Sequence, residues 1–365
     1  MYFDYTATTP VDNDVLDMYV KVQKEFFANT ESMHYLGKRS NSLFEKAKRE
    51  IKEALKSEHE VILTHNATEA NNIAIFGCVK EKIGKIITTK IEHPSVFEVF
   101  KELEKRGYDV VYLDVDENGI IDINQLKEEM NKDVLLVSIM WVNNITGAIE
   151  PIKEVINILK DYKKAKLHVD GVQGLCKIEM DFDINDIDFF TFSAHKFFGP
   201  KGVGGLLYKK EIALGKHIFG SNVQNGLKPG TVDLAGSVAA CKALKIYMKT
   251  IKERYEYVNS LRNRLVNGIK NIKKIVFNSN EKCSPYIFNL SFIGRNGETI
   301  IHTLEEKEIY VSTGSACSSK LKKPEKTILA ISGDEDRALS SIRVSLCHLT
   351  TLNEVDSLIK AIKEI

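Results

Sequence analysis

Between residues 60 and 210 the chain alternates short, continuously apolar runs with amphipathic stretches, and no other feature constrains its fold as tightly. The runs are EVILT (60–64), KIITT (85–89), DVVYLDV (109–115), DVLLVSIM (133–140), AKLHVD (165–170), DFFTFSA (188–194) and VGGLLYK (203–209). Such short Val/Ile/Leu-rich runs, apolar without alternation, predict strands buried on both faces, as in parallel sheets. Between them lie stretches such as EANNIAIFGCVKEK and IKEVINILKDYKK, whose apolar positions recur at helical spacing. A sheet buried on both faces needs helices on both sides, so the prediction is an α/β layer, a large domain with a mainly parallel sheet flanked by helices.

Beyond about residue 230 the texture changes. A long helical region runs from about 232 to 271, followed by the strand-like runs PYIFNLSF (285–292), IYVST (309–313) and SIRVSLC (341–347) with helical pieces between them. This predicts a second, smaller α+β domain. The expected boundaries are 15–245 for the large domain, with 1–14 and 246–365 forming the small one. A chain of 365 residues accommodates both. Lys+Arg total 51 against 50 Asp+Glu, a net charge of +1, which gives no global reason to expect a nucleic-acid partner. No apolar run approaches the roughly 18 residues of a membrane span. The opening MYFDYTATTP has no basic segment leading into an apolar one, so the expected location is the cytoplasm.

Four segments carry residues suited to chemistry. In SAHKFFGPKG (193–202), Lys196 follows a buried strand. In a dry pocket its pKa would fall and it could form a Schiff base; otherwise it is a solvated loop lysine. Asp170 ends the run AKLHVD, with Gln173 three residues on. It is suited to pair with a pyridinium nitrogen, or simply to cap a helix. The segment Thr64–Asn72 joins a strand to a helix start and could present backbone N–H groups to a phosphate, or be an ordinary capped helix. Cys317 lies in STGSACSSK (312–320), a run of small polar residues that reads as an exposed loop. An accessible thiol with a lysine nearby is a candidate nucleophile; an incidental loop cysteine is the alternative. The other cysteines, Cys78, Cys176, Cys241, Cys283 and Cys347, are expected to be small buried residues. No cysteine pair has metal-ribbon or redox spacing, and no metal is expected.

Taken together, these segments resemble the cysteine desulfurases, class V aminotransferase-like enzymes that use pyridoxal 5'-phosphate (PLP). The resemblance is an ordered series over nearly the whole chain: DYTATTP (4–10), His34-Tyr35-Leu36-Gly37, Thr68-Glu69-Ala70-Asn71-Asn72, Glu92-His93-Pro94, Asn143-Asn144, His168 to Gln173, Ser193 to Gly202, Gly230-Thr231, Ser312 to Ser319, and Arg343. It implies that Lys196 holds PLP, Asp170 pairs with its ring nitrogen and Gln173 bonds its ring hydroxyl. It further implies that Asn144 positions ring and substrate, and that His93 stacks on the ring and serves as an acid/base. Thr68, Glu69, Ser193 and His195 fall at the phosphate end, and Thr231 reaches the phosphate of the other subunit, which implies a homodimer with shared active sites. Arg343 takes the carboxylate of the substrate L-cysteine, and Cys317 accepts the sulfur as a persulfide. That sulfur passes to an acceptor protein, such as an iron–sulfur scaffold or a thiolation enzyme, and alanine leaves. The chain departs from the family pattern at Asn66-Ala67, Ile145-Thr146, Lys228-Pro229 and Cys347. Neighbouring readings are a selenocysteine lyase, a class V aminotransferase in which Cys317 is idle, and a non-catalytic PLP-binding module. A visible absorbance of the lysine-bound cofactor is expected to bear on the last, and release of sulfide from cysteine separates the first two.

Overall fold

The computed structural model describes residues 1–79, 83–314 and 323–365. The predicted runs form a seven-stranded sheet of β1 (Glu60–Thr64), β2 (Lys85–Thr89), β3 (Asp109–Leu113), β4 (Val134–Met140), β5 (Lys166–Asp170), β6 (Phe189–Ser193) and β7 (Gly204–Tyr208). Their order across the sheet is β1-β7-β6-β5-β4-β2-β3. Strands β2 to β6 are parallel, whereas β7 runs antiparallel to both of its neighbours, β6 and β1. Full burial of a run therefore identified β7 as an interior strand but not its direction. β7 returns from β6 after only ten residues, too few for a helical crossover, so it must run antiparallel.

This topology brings the carboxyl ends of β1, β2, β4, β5 and β6 to one edge of the sheet. In open α/β sheets that edge is where ligands bind. The helix Ala67–Val79 follows β1 directly and is apolar nearly all round, because it packs on the sheet on one side and against Leu214 and Gly215 on the other.

A second, antiparallel sheet has the order β10-β9-β8, with β8 (Ile275–Phe277), β9 (Ile287–Phe292) and β10 (Ser341–Ser345). The run IYVST does not become a strand. It makes only isolated bridges, Tyr310 to Tyr2 and Ser312 to Arg343. The long helical region is two helices, Leu234–Lys249 and Ile251–Ile269, broken at Thr250. The first residues tie the two sheets together. Asp4 bridges to Ser345 of β10, while the Thr9 backbone N–H donates to the carbonyl of His195 beyond β6. No helix among the described residues is long and apolar enough to cross a membrane.

Candidate active site

Between the carboxyl edge of the large sheet and the small sheet lies a cavity of about 210 Å³. It is lined by Thr68, His93, Asn144, Asp170, Gln173, Ser193, His195, Lys196 and Arg343, with Thr6, Ala7, Ser95 and Gly314 among its other walls. Each side chain is delivered by a short step past a strand end or helix start. Asp170 is the last residue of β5 and Ser193 the last of β6, and Lys196 follows one 3₁₀ turn later. Thr68 lies in the first turn of the helix Ala67–Val79, and His93 is the N-cap of the helix Pro94–Lys105. Arg343 sits in the middle of β10, facing the cavity from the opposite sheet.

Lys196 Nζ donates to the carbonyl oxygens of Thr6 at 2.7 Å and Ala7 at 2.8 Å. Burial and the nearby Arg343 lower its pKa to about 8, against the opposing pull of Asp4 and Asp170. This lowering raises the share of neutral amine near neutral pH, as a nucleophilic lysine needs. The Asp170 carboxylate accepts from the Val172 backbone N–H at 3.0 Å and from Asn71 Nδ2 at 2.9 Å. Gln173 is held from both ends: its Nε2 donates to the Thr6 carbonyl at 3.2 Å, and its Oε1 accepts from buried Lys177 at 2.6 Å. Burial, with Lys196 and Arg343 nearby, lowers the Lys177 pKa to about 7.

Arg343 donates from Nη1 to the Asn144 carbonyl and from Nη2 to Asp4 Oδ1, both at 2.9 Å, while its buried Nε has no partner among the described residues. At the other end, His195 Nδ1 lies 3.1 Å from Thr8 Oγ1. Burial and Lys196 press its pKa down to about 3, so the ring is neutral. The buried Ser193 hydroxyl has no hydrogen-bond partner among the described residues. An unsatisfied buried hydroxyl beside a helix start is a site for an anion.

Some of the expected residues lie elsewhere. Glu69 turns away from the cavity: its carboxylate accepts from the His65 backbone N–H at 2.7 Å and pairs with Lys228 at 3.4 Å. One residue further along a helix is rotated by about 100°, so Thr68 faces the cavity and Glu69 does not. Thr231 lines a separate, small cavity with Thr64, His65, Lys228 and Gly230. The His34–Gly37 motif builds a helix start. The His34 side chain accepts from the Gly37 N–H, and a Cβ on Gly37 would lie 2.2 Å from the Ser32 carbonyl oxygen. Cys317 lies outside the described residues.

The backbone of Asn66 and Ala67, where the family pattern has two glycines, is accommodated from below. A Cβ on Gly204 of β7 would lie 2.4 Å from the Asn66 carbonyl carbon and 2.8 Å from the Ala67 nitrogen. Gly204→Ala must therefore displace the helix start and β7 relative to each other, at the edge of the cavity that Asn66 and Ala67 line. We expect PLP affinity to fall about tenfold, the equivalent of roughly 1.4 kcal/mol of misfit. Fluorescence titration checks this, and unchanged affinity would show that the close approach is not needed.

The donor set fits PLP. A carboxylate stands ready for a pyridinium nitrogen, an amine for a carbonyl, and an unpartnered hydroxyl beside a helix start for a phosphate. Comparisons with known proteins bear on the family. The family model described as Aminotransferase class-V matches residues 1–358. The cysteine desulfurase IscS of Clostridium botulinum is 35% identical over 373 residues, covering 100% of this chain and 94% of that protein. A solved NifS-like protein has a TM-score of 0.93 at 34% identity, covering 100% of this chain and 98% of its own. A structure titled SspA in complex with cysteine has a TM-score of 0.82 at 30% identity, covering 94% of this chain and 98% of its own. Cavity and comparisons together place this chain in the class V aminotransferase family, alongside the IscS- and NifS-like cysteine desulfurases.

Proposed function

We propose that this chain is a PLP-dependent cysteine desulfurase that converts L-cysteine to L-alanine and passes the sulfur, as a persulfide on Cys317, to an acceptor protein. The observation that carries the reading is the meeting of Lys196, Asp170, His93 and Arg343 in one cavity of a chain that also keeps Cys317. PLP, when bound, draws electrons from the bonds around the substrate's α-carbon. Lys196 supplies the amine that holds it, Asp170 keeps its ring nitrogen protonated, and Thr68, Ser193 and His195 hold its phosphate. Gln173 and Asn144 orient the ring.

The chain's own residues then divide the work. Arg343 exchanges part of its contact with Asp4 for the substrate carboxylate, a planar pair that fixes the amino acid's orientation. Lys196, released on substrate binding, takes the α-proton. Burial lowers the His93 pKa, against the pull of Asp170, so its ring enters the reaction neutral. The Cys317 thiolate attacks the substrate's sulfur. The carbon–sulfur bond breaks, a sulfur–sulfur bond forms, and the former β-carbon takes up a proton to become the methyl of alanine. No external oxidant is needed, because the substrate carbon is reduced as the sulfur is oxidised.

With PLP, L-cysteine and a thiol reductant, alanine and sulfide should appear in equal amounts. Formation of a keto acid with no sulfide would instead mark an aminotransferase.

The proposed assembly is a homodimer in which Thr231 reaches the partner's phosphate end, in keeping with its place outside its own chain's cavity. Sedimentation should show a dimer at micromolar concentration. A fully active, stable monomer would contradict the shared site.

A further inference from the structure

Behind the cavity wall, four buried polar side chains that none of the roles above uses, Ser138, His168, Thr191 and Asn71, lead to Asp170 and, through Ser95, to His93. Ser138 Oγ lies 2.7 Å from His168 Nδ1, His168 Nε2 lies 3.3 Å from Thr191 Oγ1, and Thr191 Oγ1 lies 2.6 Å from Asn71 Oδ1. Asn71 Nδ2 lies 2.9 Å from both Asp170 Oδ2 and Ser95 Oγ, and Ser95 Oγ lies 2.8 Å from His93 Nδ1. Ser138, His168, Thr191 and Asn71 are all fully buried.

The donor directions follow from one fact, that a carboxylate only accepts. Asp170 must face the amide nitrogen of Asn71, so Asn71 Oδ1 faces Thr191 and accepts its single hydroxyl proton. Thr191, having spent that proton, accepts from His168 Nε2–H. Burial presses the His168 pKa to about 4, so the ring is neutral and its Nδ1 accepts from Ser138. At the other end, Ser95 Oγ accepts from Asn71, which leaves its own proton for His93 Nδ1. That nitrogen also accepts the Ser95 backbone N–H at 3.1 Å. The only N–H of neutral His93 is then on Nε2.

We propose that Asn71 is a positioning residue: the one-way chain Ser138–His168–Thr191 fixes its amide so that one N–H holds the Asp170 carboxylate and the other, through Ser95, holds His93 with its proton on Nε2. The chain thus couples two groups that act at PLP through Ser138, His168, Thr191 and Asn71, none of which lines the cavity, and through Ser95, which does. A buried chain polarised in one direction is stronger than its separate bonds, and it cannot reverse without leaving a donor facing a donor. The consequence for turnover rests on the desulfurase reading; the proton positions do not.

The test uses Thr191→Val, which keeps the shape but removes the hydroxyl, and Thr191→Ser, which restores it. In the wild-type protein without PLP, side-chain nitrogen NMR should place the protons of both His168 and His93 on Nε2. In Thr191→Val, His168 should move its proton to Nδ1, toward Ser138. With PLP bound, kcat should fall about tenfold or more while KM changes less than about twofold, since a bond supporting a charged group is weakened. Thr191→Ser should recover both properties. A wild-type His168 or His93 protonated on Nδ1 would overturn the chain directly, even if Thr191→Val failed to fold. Unchanged kcat in Thr191→Val, or equal loss in the Ser and Val variants, would also overturn it. Absence of desulfurase activity in the wild type, with the nitrogen shifts as expected, would instead reject the functional reading and leave the chain standing.

Discussion

Lys196→Ala is expected to lower turnover by about three orders of magnitude or more while leaving the fold intact. The lysine's ammonium group rests on the carbonyls of Thr6 and Ala7, at the carboxyl edge of the sheet and beyond the packed core. Removing it deletes two part-buried hydrogen bonds to loop carbonyls and opens space in an existing cavity, so the loss of stability should be small. The chemical loss is large because, among the described residues, no other lysine lines the cavity. Lys177 is also buried and also has a lowered pKa, but its ammonium is committed to Gln173 at 2.6 Å. Borohydride reduction followed by peptide mapping should find PLP covalently fixed at Lys196 in the wild type and nowhere in the variant. Turnover like the wild type in Lys196→Ala would sink the assignment of this lysine.

The second large effect concerns Cys317. Cys317→Ser should stop formation of both alanine and persulfide while PLP still binds through Lys196. Serine is close to isosteric, but its hydroxyl is a poor nucleophile toward sulfur and is not ionised near neutral pH, whereas a free thiol is partly ionised. Four of the other cysteines are poor substitutes, and the fifth, Cys78, is only partly buried, contrary to expectation. Cys176, Cys241, Cys283 and Cys347 are buried, and burial raises all four thiol pKa values, that of Cys241 to about 12. Their replacement should cost stability, on the order of 1–3 kcal/mol each, and little activity. Alanine release at the normal rate from Cys317→Ser would show a reaction that bypasses this thiol.

Much of the fold was legible because burial on both faces leaves a direct mark on composition. EVILT and KIITT coincide with β1 and β2, since nothing but a strand between two helical layers calls for such runs. Direction leaves no such mark, and β7 reads like its parallel neighbours. IYVST was misjudged because its apolar residues serve isolated bridges to Tyr2 and Arg343 rather than a ladder. The short β8 was missed because its three residues are only half-buried.

Motif order pointed to the candidate site residues, and one cavity gathers most of them. Glu69 belongs to the same motif as Thr68 but points away because of helical rotation, a detail that motif order does not encode. The chain through Ser138, His168, Thr191 and Asn71 could not be read in advance. Its members lie on β4, β5, β6 and the first helix after β1, and the Thr191–Asn71 bond joins residues 120 positions apart. Buried polar residues within apolar runs were its one sequence signal: the Ser in VLLVSIM, the His in KLHVD and the Thr in FFTFS.

The most direct test of the account is to find where the sulfur goes. The PLP-loaded protein is given a short pulse of L-cysteine without reductant, digested, and its cysteine peptides are weighed by mass spectrometry. The account predicts one added sulfur atom on the peptide carrying Cys317, with alanine formed in equal amount. Added sulfur on Cys176 or Cys347, or alanine formed with no added sulfur on any peptide, would contradict it.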